Sequence, residues 1–582
     1  MTRLSEYLLP TEREAPADAE ALSHRLMVRA GLVRQLGAGL WTWLPAGWRV
    51  HRKIEALIRA EMEAIGAQEV LMPVLGPAEP WRRTGRYDIP ELFKLRDRRE
   101  AELVLAMTHE EIVTYHAAQL IRSYRDLPLS LYHFQVKERD EPRPRAGVLR
   151  TREFIMKDAY SFDRDEAGMN STYERFVGAY DRIMERTGLR WYRVQSDVGM
   201  MGGLGAHEYM APCAAGENEI ALAPGYAANV EVASAQARPA SPDAERAAPE
   251  EVSTPGLTRV EEVAQLLGVH PSALLKAYPV VRAAAGEGAL EGPALWLALV
   301  RGDHRVNEVK LARALGGPVR PARPEEIEAQ IGPVGFIGPV DPRSGDVRIV
   351  LDQAVPAGCY VTGANRPGAH LRGVRPGRDF QHISADIRMV QEGDTVAGHP
   401  IVIERAIEVA NIFKLGVRYS TPLEASYLDE DGRAKPLWMA SYGIGPARIA
   451  AAAVEQLADE RGISWPRALA PFAIHLVSLG RPGSEERAAA EDLYERICAS
   501  EALRAEHIDV LYDDRDLGTG EKLTVAELLG CPLRLTVGRR ALQRGEVEVQ
   551  VRRGLLEGAP LPLSLEGEEL VRALRERWQE AP

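Results

Sequence analysis

Cysteine is scarce in this sequence, and its four copies stand far apart: Cys213, Cys359, Cys498 and Cys531 form no C-x-x-C pair. Such spacing predicts neither a zinc site nor a disulfide framework, but buried free thiols in a reducing compartment. Long apolar runs are also missing. No stretch approaches the ~20 residues that a membrane helix requires. The opening MTRLSEYLLPTEREAP carries charges where a secretory leader needs an unbroken apolar stretch, so a cytoplasmic protein with no membrane partner is expected. Positive charge is in deficit, with 72 Lys and Arg against 84 Asp and Glu and a net charge of −12. That total argues weakly against a nucleic-acid binder, although local charge matters more than the sum. Six arginines (Arg534, Arg539, Arg540, Arg544, Arg552 and Arg553) stand against Glu546 and Glu548 in the stretch 534–553. They read either as the solvated charged face of a β-hairpin or as a surface for phosphates.

What is present is an ordinary globular balance, 45% hydrophobic and 27% charged over 582 residues, long enough for roughly three to five domains. VHRKIEALIRAEMEAI (50–65) and HEEIVTYHAAQLIRSY (109–124) have apolar residues at helical spacing. EVLMPV (69–74), LSLYHFQVK (129–137), TREFIMKDAYSF (151–162) and PLWMASYGI (436–444) read as strands, the last leading into a helix at 447–460. Composition breaks at 233–251, ASAQARPASPDAERAAPEE, which has little to bury and reads as a linker or loosely ordered edge. Beyond it, 252–400 mixes a helix, apolar strands and Gly/Pro turns, as an inserted α/β domain would. From Pro471 strand and helix alternate, as in a compact α/β domain with a mixed sheet.

Three stretches carry chemistry. Arg139-Asp140-Glu141, a Pro/Arg-rich loop, and Arg150-Thr151-Arg152-Glu153-Phe154 form two strands joined by a basic loop. Guanidinium forks there match phosphate oxygens, and a carboxylate can accept from an adenine amino group. Gly443-Ile444-Gly445 lets a strand end approach a ligand, with Arg448 on the first turn of the next helix. The helix ending at Gly66 runs into a strand that stops at Pro73. Each alone is also an ordinary ion pair, turn or helix–strand unit.

Together, in this order, they resemble motifs 2, 3 and 1 of the class II aminoacyl-tRNA synthetases. EAPADAEALSHRLMVRAG, MTHEEIV, RPRAGVLRTREFIMKDAYSF, GAHEY, RGDHRVNEVK, ASYGIGPAR and DERGISWPRALAP resemble the prolyl enzymes of bacteria from end to end. The resemblance implies an α/β (α+β) multidomain chain: an antiparallel-sheet catalytic domain (1–227 and 403–468), an inserted α/β editing domain (228–402) and a C-terminal α/β anticodon-binding domain (469–582). It implies proline, ATP with Mg²⁺ and a proline tRNA as substrates, and a homodimer. Thr108, Glu110, Arg139 and Asn411 would hold proline. Arg139, Glu141, Arg150, Phe154, Glu408 and Arg448 would hold ATP, with Arg139 and Arg448 catalytic and Glu408 near magnesium. Thr254, Lys276, Asp352 and His370 would shape the editing pocket, and Asp514, Arg515, Lys522 and Glu527 would meet the anticodon. Departures from the pattern stand at Glu138, Met107, Ala406, Ala410 and Asn411, where an aromatic residue, Pro, Gly, Gly and His are usual. A catalytically impaired paralogue that binds tRNA is the alternative these changes leave.

Overall fold

The computed structural model describes residues 2–282 and 294–581. Two compact units emerge: Met1–Arg193 with Val198–Asn218 and Arg405–Pro582, and Val194–Asp197 with Glu219–Glu404. The second therefore begins a little before the 228–402 span expected for an insertion. No helix among the described residues is long and apolar enough to cross a membrane.

The first unit is built on an antiparallel ladder. Leu129–Glu138 pairs with Glu153–Asp163, that strand with Trp438–Ile444, that with Val402–Gly416, and the last with Gly205–Pro212. Gln68–Glu69 adds a short parallel strand at the other edge. The strand expected over 69–74 is thus only its beginning: the Val70 N–H still reaches the Tyr132 carbonyl, but the Met72 N–H goes to His133 Nδ1, and the Met72 and Pro73 carbonyls take side chains of Gln135 and His109. Three helices, Pro45–Ala64, Glu166–Thr187 and Pro446–Leu457, share one apolar core with this sheet. Phe176 stacks on Tyr442 at 3.7 Å between ring centroids, a contact only a helix lying flat on the sheet can make. Asp165 caps the start of the second helix, and Gly188, at φ 72°, ends it.

A six-stranded sheet closes the C-terminal part of the same unit. Val510–Asp513, Ile474–Ser478 and Leu533–Val537 run parallel, and Glu546–Val551 with Leu556–Pro562 form the expected hairpin. One of its two edge strands comes from the other end of the chain: Thr2–Arg3 pairs in parallel with Leu511 and Tyr512. Two residues carry no periodicity, so nothing in the sequence announces this strand. Arg3 reinforces it with an ion pair to Glu491 and its guanidinium over Tyr494.

The second unit has a five-stranded and a three-stranded sheet. In the first, Leu275–Arg282 and Ala294–Arg301 are antiparallel, and Arg348–Asp352 lies parallel to the latter. The stretch 233–251 is not the loose linker expected. Ala233 and Asp243 are buried, Gln236 bridges Thr395, and Asp243 accepts two hydrogen bonds from Arg372 at 3.1 and 2.6 Å. Polar anchors at intervals hold this segment where apolar content could not.

Candidate active site

The ladder strands and the loop between the first two converge on a cavity of about 380 Å³. Thr108, Glu110, Arg139, Glu141, Arg150, Phe154, Glu408, Asn411 and Arg448 all line it. These residues span more than 300 positions of sequence, and only the register of the sheet brings them together.

At one end, Thr108 and Glu110 flank the start of the helix Glu110–Leu120, both buried. Arg86 organises them. Its Nη2 donates to Thr108 Oγ1 at 3.0 Å, and its Nη1 reaches Glu110 Oε2 at 3.4 Å and both Glu111 oxygens at 3.1 Å. At 1% exposure this guanidinium survives only because carboxylates neutralise it. Burial acts against the charge, but Glu111 and then Tyr419 and Glu110 hold Arg86 above its ordinary range. Sequence reasoning missed Arg86, since an arginine in RRTGRYD looks like any surface arginine.

Asn411 sits mid-strand, opposite Gly443 on one side and Glu208 on the other. Its Oδ1 is buried with no hydrogen-bond partner among the described residues. A buried acceptor left unpaired costs about 1–3 kcal/mol, so an atom like this facing a cavity marks a place for a donor.

At the other end the central arginine is loosely held. Arg139 reaches the Met107 carbonyl only at 3.4 Å, and its guanidinium carbon lies 5.1 Å from the Phe154 ring centre. Burial, and then the Arg448 charge, push Arg139 down from its ordinary range. Two arginines facing each other in this way favour an anion between them. Arg448 donates to the Glu408 and Leu149 carbonyls at 2.8 and 3.2 Å, with the Glu408 carboxylate at 3.5 Å. Glu141 and Arg150 form an ion pair at 2.9 Å. Arg150 holds the Glu141 carboxyl down against the effect of burial.

The four positions of the second unit divide. Thr254 Oγ1 and His370 Nδ1 are 2.7 Å apart, and Phe336 meets the imidazole edge-on at 5.7 Å. Burial lowers the His370 pKa, so the ring is neutral near pH 7. Asp352 instead accepts from the Ala354 and Ile387 amides at 2.9 and 2.8 Å. Lys276 is half-buried, with its pKa lowered by burial. No hydrogen bond among the described residues joins Asp352 or Lys276 to the Thr254–His370 pair.

In the C-terminal domain all four candidates have protein partners. Ser5 donates its N–H and hydroxyl to Asp514 at 2.8 and 2.6 Å. Lys522 is buried and donates to the Ser478 carbonyl at 2.9 Å. Arg515 grips Asp513 with two bonds at 2.9 and 2.7 Å. Glu527 takes Arg461 at 3.1 Å and Arg534 at 3.4 Å. Arg552, one of the six clustered arginines, is 3% exposed and bidentate to Asp459 at 2.6 and 2.7 Å. Arg534 and Arg552 are therefore not part of a solvated face. The four cysteines are all free, and burial pushes the Cys531 thiol up to about 12.

Residues 93–457 match the family described as the tRNA synthetase class II core domain (G, H, P, S and T), and residues 479–577 match an anticodon binding domain. A proline–tRNA ligase of Thermodesulfovibrio yellowstonii is 44% identical over 559 residues, covering 95% of this chain and 96% of that protein. One from Bordetella petrii is 46% identical over 565 residues, again covering 95% and 96%. Among solved structures, the fold is shared with the Giardia lamblia prolyl-tRNA synthetase in complex with prolyl-adenylate (TM-score 0.57, 14% identity, 96% of this chain and 79% of that one). It is also shared with the Cryptosporidium parvum enzyme complexed with halofuginone and AMPPNP (TM-score 0.56, 13% identity, 96% and 78%). A core of class II type, an anticodon-binding domain and relatives 44–46% identical along nearly their whole length establish that the chain belongs to the proline–tRNA ligases, within the class II aminoacyl-tRNA synthetases.

Proposed function

We propose that this chain activates proline with ATP and transfers it to the 3′ end of a proline tRNA, using the cavity described above. The observation that carries this reading is the convergence of an acidic, partly unpaired end and an arginine-rich end in one space. Proline's secondary ammonium has two N–H donors and a positive charge, which suit Glu110, Thr108 and the unpaired Asn411 oxygen. Its carboxylate then lies toward Arg139 and attacks the α-phosphorus of ATP. A carboxyl-oxygen–phosphorus bond forms, the α–β bridging bond breaks, and pyrophosphate leaves. No general base is needed, since the nucleophile is already ionised. Arg139 stabilises the charge that grows on the α-phosphate, so catalysis is alignment and charge stabilisation. Glu141 reads the adenine amino group and Arg150 the γ-phosphate, which requires their mutual ion pair to open. Phe154 and Arg448 enclose the base. The single Glu408 carboxylate together with phosphate oxygens is a donor set that suits Mg²⁺.

The second unit acts as a hydrolytic editing domain for alanine wrongly attached to the tRNA, with Thr254 and His370 as a working pair. Rejecting a smaller apolar substrate by fit alone gives only ~1–3 kcal/mol, so a second site is the physical remedy. The C-terminal domain holds the anticodon, with Arg515 and Glu527 the more accessible of the four candidates. The enzyme works in the cytoplasm as a homodimer. Leu71, Leu75 and Leu120 support that assembly, being 77%, 48% and 69% exposed on the segment after Gln68–Glu69 and on the adjacent helix.

Proline-dependent ATP–pyrophosphate exchange tests the central claim. Exchange with proline is expected; exchange with another amino acid instead, or none, would overturn it. Deacylation of Ala-tRNA by the full chain, lost in Thr254→Val and His370→Ala, tests the editing assignment.

A further inference from the structure

The chemistry above uses Thr108 and Glu110 but leaves open what holds them in place. Between them lies His109, fully buried and fixed at both ring nitrogens. Nε2 is 3.0 Å from the Pro73 carbonyl oxygen, and Nδ1 is 2.8 Å from Lys137 Nζ. With Nε2–H donating to Pro73, Nδ1 is an acceptor, and Lys137 supplies the donor. Burial, and then the charge on Lys137, lower the His109 pKa to about 3, so the ring stays neutral.

Lys137 is itself fully buried. Its ammonium lies 2.7 Å from Asp158 Oδ1 and 3.3 Å from His133 Nε2. Asp158 Oδ2 takes His133 Nε2 at 2.9 Å and the Tyr160 hydroxyl at 2.5 Å. That hydroxyl in turn accepts the backbone N–H of His109 at 3.0 Å. The peptide joining Thr108 to His109 is therefore tethered twice, through the ring to Lys137 and through the amide to Tyr160 and Asp158. His109, His133 and Asp158 place one ligand atom each within 4.8 Å of one another, as metal ligands would.

We propose that the Lys137 ammonium is a built-in cation beneath the cavity, a positioning residue that fills the place of a metal ion among His109, His133 and Asp158 and so holds Thr108 and Glu110 in register for proline. The proposal rests on the assignment of Thr108 and Glu110 to proline given above. Its physical argument is one of cost. A buried ammonium loses several kcal/mol of hydration, and a methionine would fill the same volume without that loss. Here the charge has two acceptors at hydrogen-bonding range, Asp158 Oδ1 and His109 Nδ1. His133 accepts the Met72 N–H at Nδ1 and gives its Nε2–H to Asp158, so it adjoins the ammonium without accepting from it. Both acceptors lead to the Thr108–Glu110 segment, and Asp158 and Tyr160 also line the cavity. Without the cation, Asp158 is a buried carboxylate without a countercharge, and His109 Nδ1 lacks its donor.

Pyrophosphate exchange on the full chain separates positioning from packing. Lys137→Met keeps the volume and removes the charge. The expected result is a KM for proline raised tenfold or more, with the KM for ATP within twofold of the parent. An equal rise in both, or no rise in either, overturns the proposal. Lys137→Ala leaves room for propylammonium, which is expected to restore the proline KM where propanol of the same size does not; equal effects of the two overturn it. Tyr160→Phe deletes one hydroxyl and keeps the packing, so it covers the case in which the lysine variants do not fold. It should raise the proline KM three- to tenfold with ATP unaffected, and an unchanged proline KM overturns the proposal. Glu110→Gln run alongside distinguishes the two layers. If it leaves the proline KM unchanged, the proline assignment falls and this inference with it. If it raises that KM while the Lys137 and Tyr160 variants are silent, this inference alone falls.

Discussion

The catalytic cavity and the C-terminal sheet draw on the same residue types, arginine, lysine and short carboxylates, but bond them differently. In the cavity, Arg139 finds only carbonyl contacts at 3.4 Å, and Asn411 Oδ1 finds none. In the C-terminal domain, Arg552 closes a bidentate fork at 2.6 and 2.7 Å, and Lys522 spends its ammonium on the Ser478 and Asp513 carbonyls. A side chain whose hydrogen bonds are short and complete within the protein has little left for a ligand. One held near a cavity by long or missing bonds keeps its capacity. The difference separates structural from functional charge better than residue type does.

The largest effect that could break this comparison is at Arg139. Arg139→Ala should cut adenylate formation by about 10²–10³-fold, the usual loss when one preorganised donor to developing charge is removed. The melting temperature should barely move, because few short bonds are lost. Exchange within about threefold of the parent would show that the wrong arginine has been named.

Arg552 should behave in the opposite way. Arg552→Ala leaves exchange intact at saturating substrates and lowers stability by about 1–3 kcal/mol, the range for hydrogen bonds to a charged group, reduced because Asp459 is partly in solvent. The fork with Arg552 holds the Asp459 carboxyl down at about 2, from an ordinary value of 3.8. A depressed carboxylate stabilises the fold above the unfolded value and loses that contribution as pH falls toward the folded one. Urea unfolding of parent and variant should therefore differ at pH 7 and converge between about pH 4 and pH 2. A gap that persists at pH 2 would assign the loss to packing.

These contrasts also explain what could be read in the chain beforehand. The nine cavity residues were legible through the resemblance of the segments around them to a known family, not through local pattern: Glu408 and Asn411 lie inside Val402–Gly416, and Glu141 and Arg150 in the loop between two strands. The helix near 50–65, the hairpin strands and the C-terminal alternation were legible from periodicity. Arg86, Lys137 and Tyr160 were not, because the partner of a buried polar group is chosen by tertiary packing between segments far apart in sequence. The edge strand Thr2–Arg3 is too short to carry a pattern. The anchoring of 233–251 depends on Arg372 and Thr395, more than a hundred residues away. Asp514 and Lys522 matched a motif, but their burial is a property of the assembled sheet.

A smaller effect sharpens the comparison at Asn411. Asn411→Ala removes an acceptor that is unpaired in the protein but available to the proline ammonium. The two readouts should then move in opposite directions. The KM for proline rises by about five- to tenfold, near the ~1 kcal/mol of one net hydrogen bond, while thermal stability holds or rises slightly because a buried orphan is gone. The KM for ATP stays unchanged. A fall in stability with no change for proline would mean that the Oδ1 atom is structural.

The smallest effect tests whether the distinction follows the domain or the face of the strand. Glu138 is next to Arg139 in Leu129–Glu138 and its neighbouring loop, so its side chain points to the opposite face. There it stands directly across from Glu153. Burial, and then Glu153, push its carboxyl up to about 7 from an ordinary 4.5. The sign follows from proton counting. Between about pH 4.5 and 7 the folded protein holds a proton on Glu138 that the unfolded chain has released, so folding stability falls as pH rises through that window. Above it the folded state carries the Glu138 charge directly across from Glu153. Glu138→Gln cannot ionise. Its melting curve should coincide with the parent at pH 4 and lie above it at pH 8, with the gap opening across the window. Because Glu138 is partly in solvent, the gain is modest. Exchange kinetics at pH 7 should not change, since neither Glu138 nor Glu153 lines the cavity. Parallel melting curves from pH 4 to 8 would show that Glu138 does not hold a proton in this window. A changed ATP constant would show instead that both faces of the strand serve the site, and that functional charge follows the whole element.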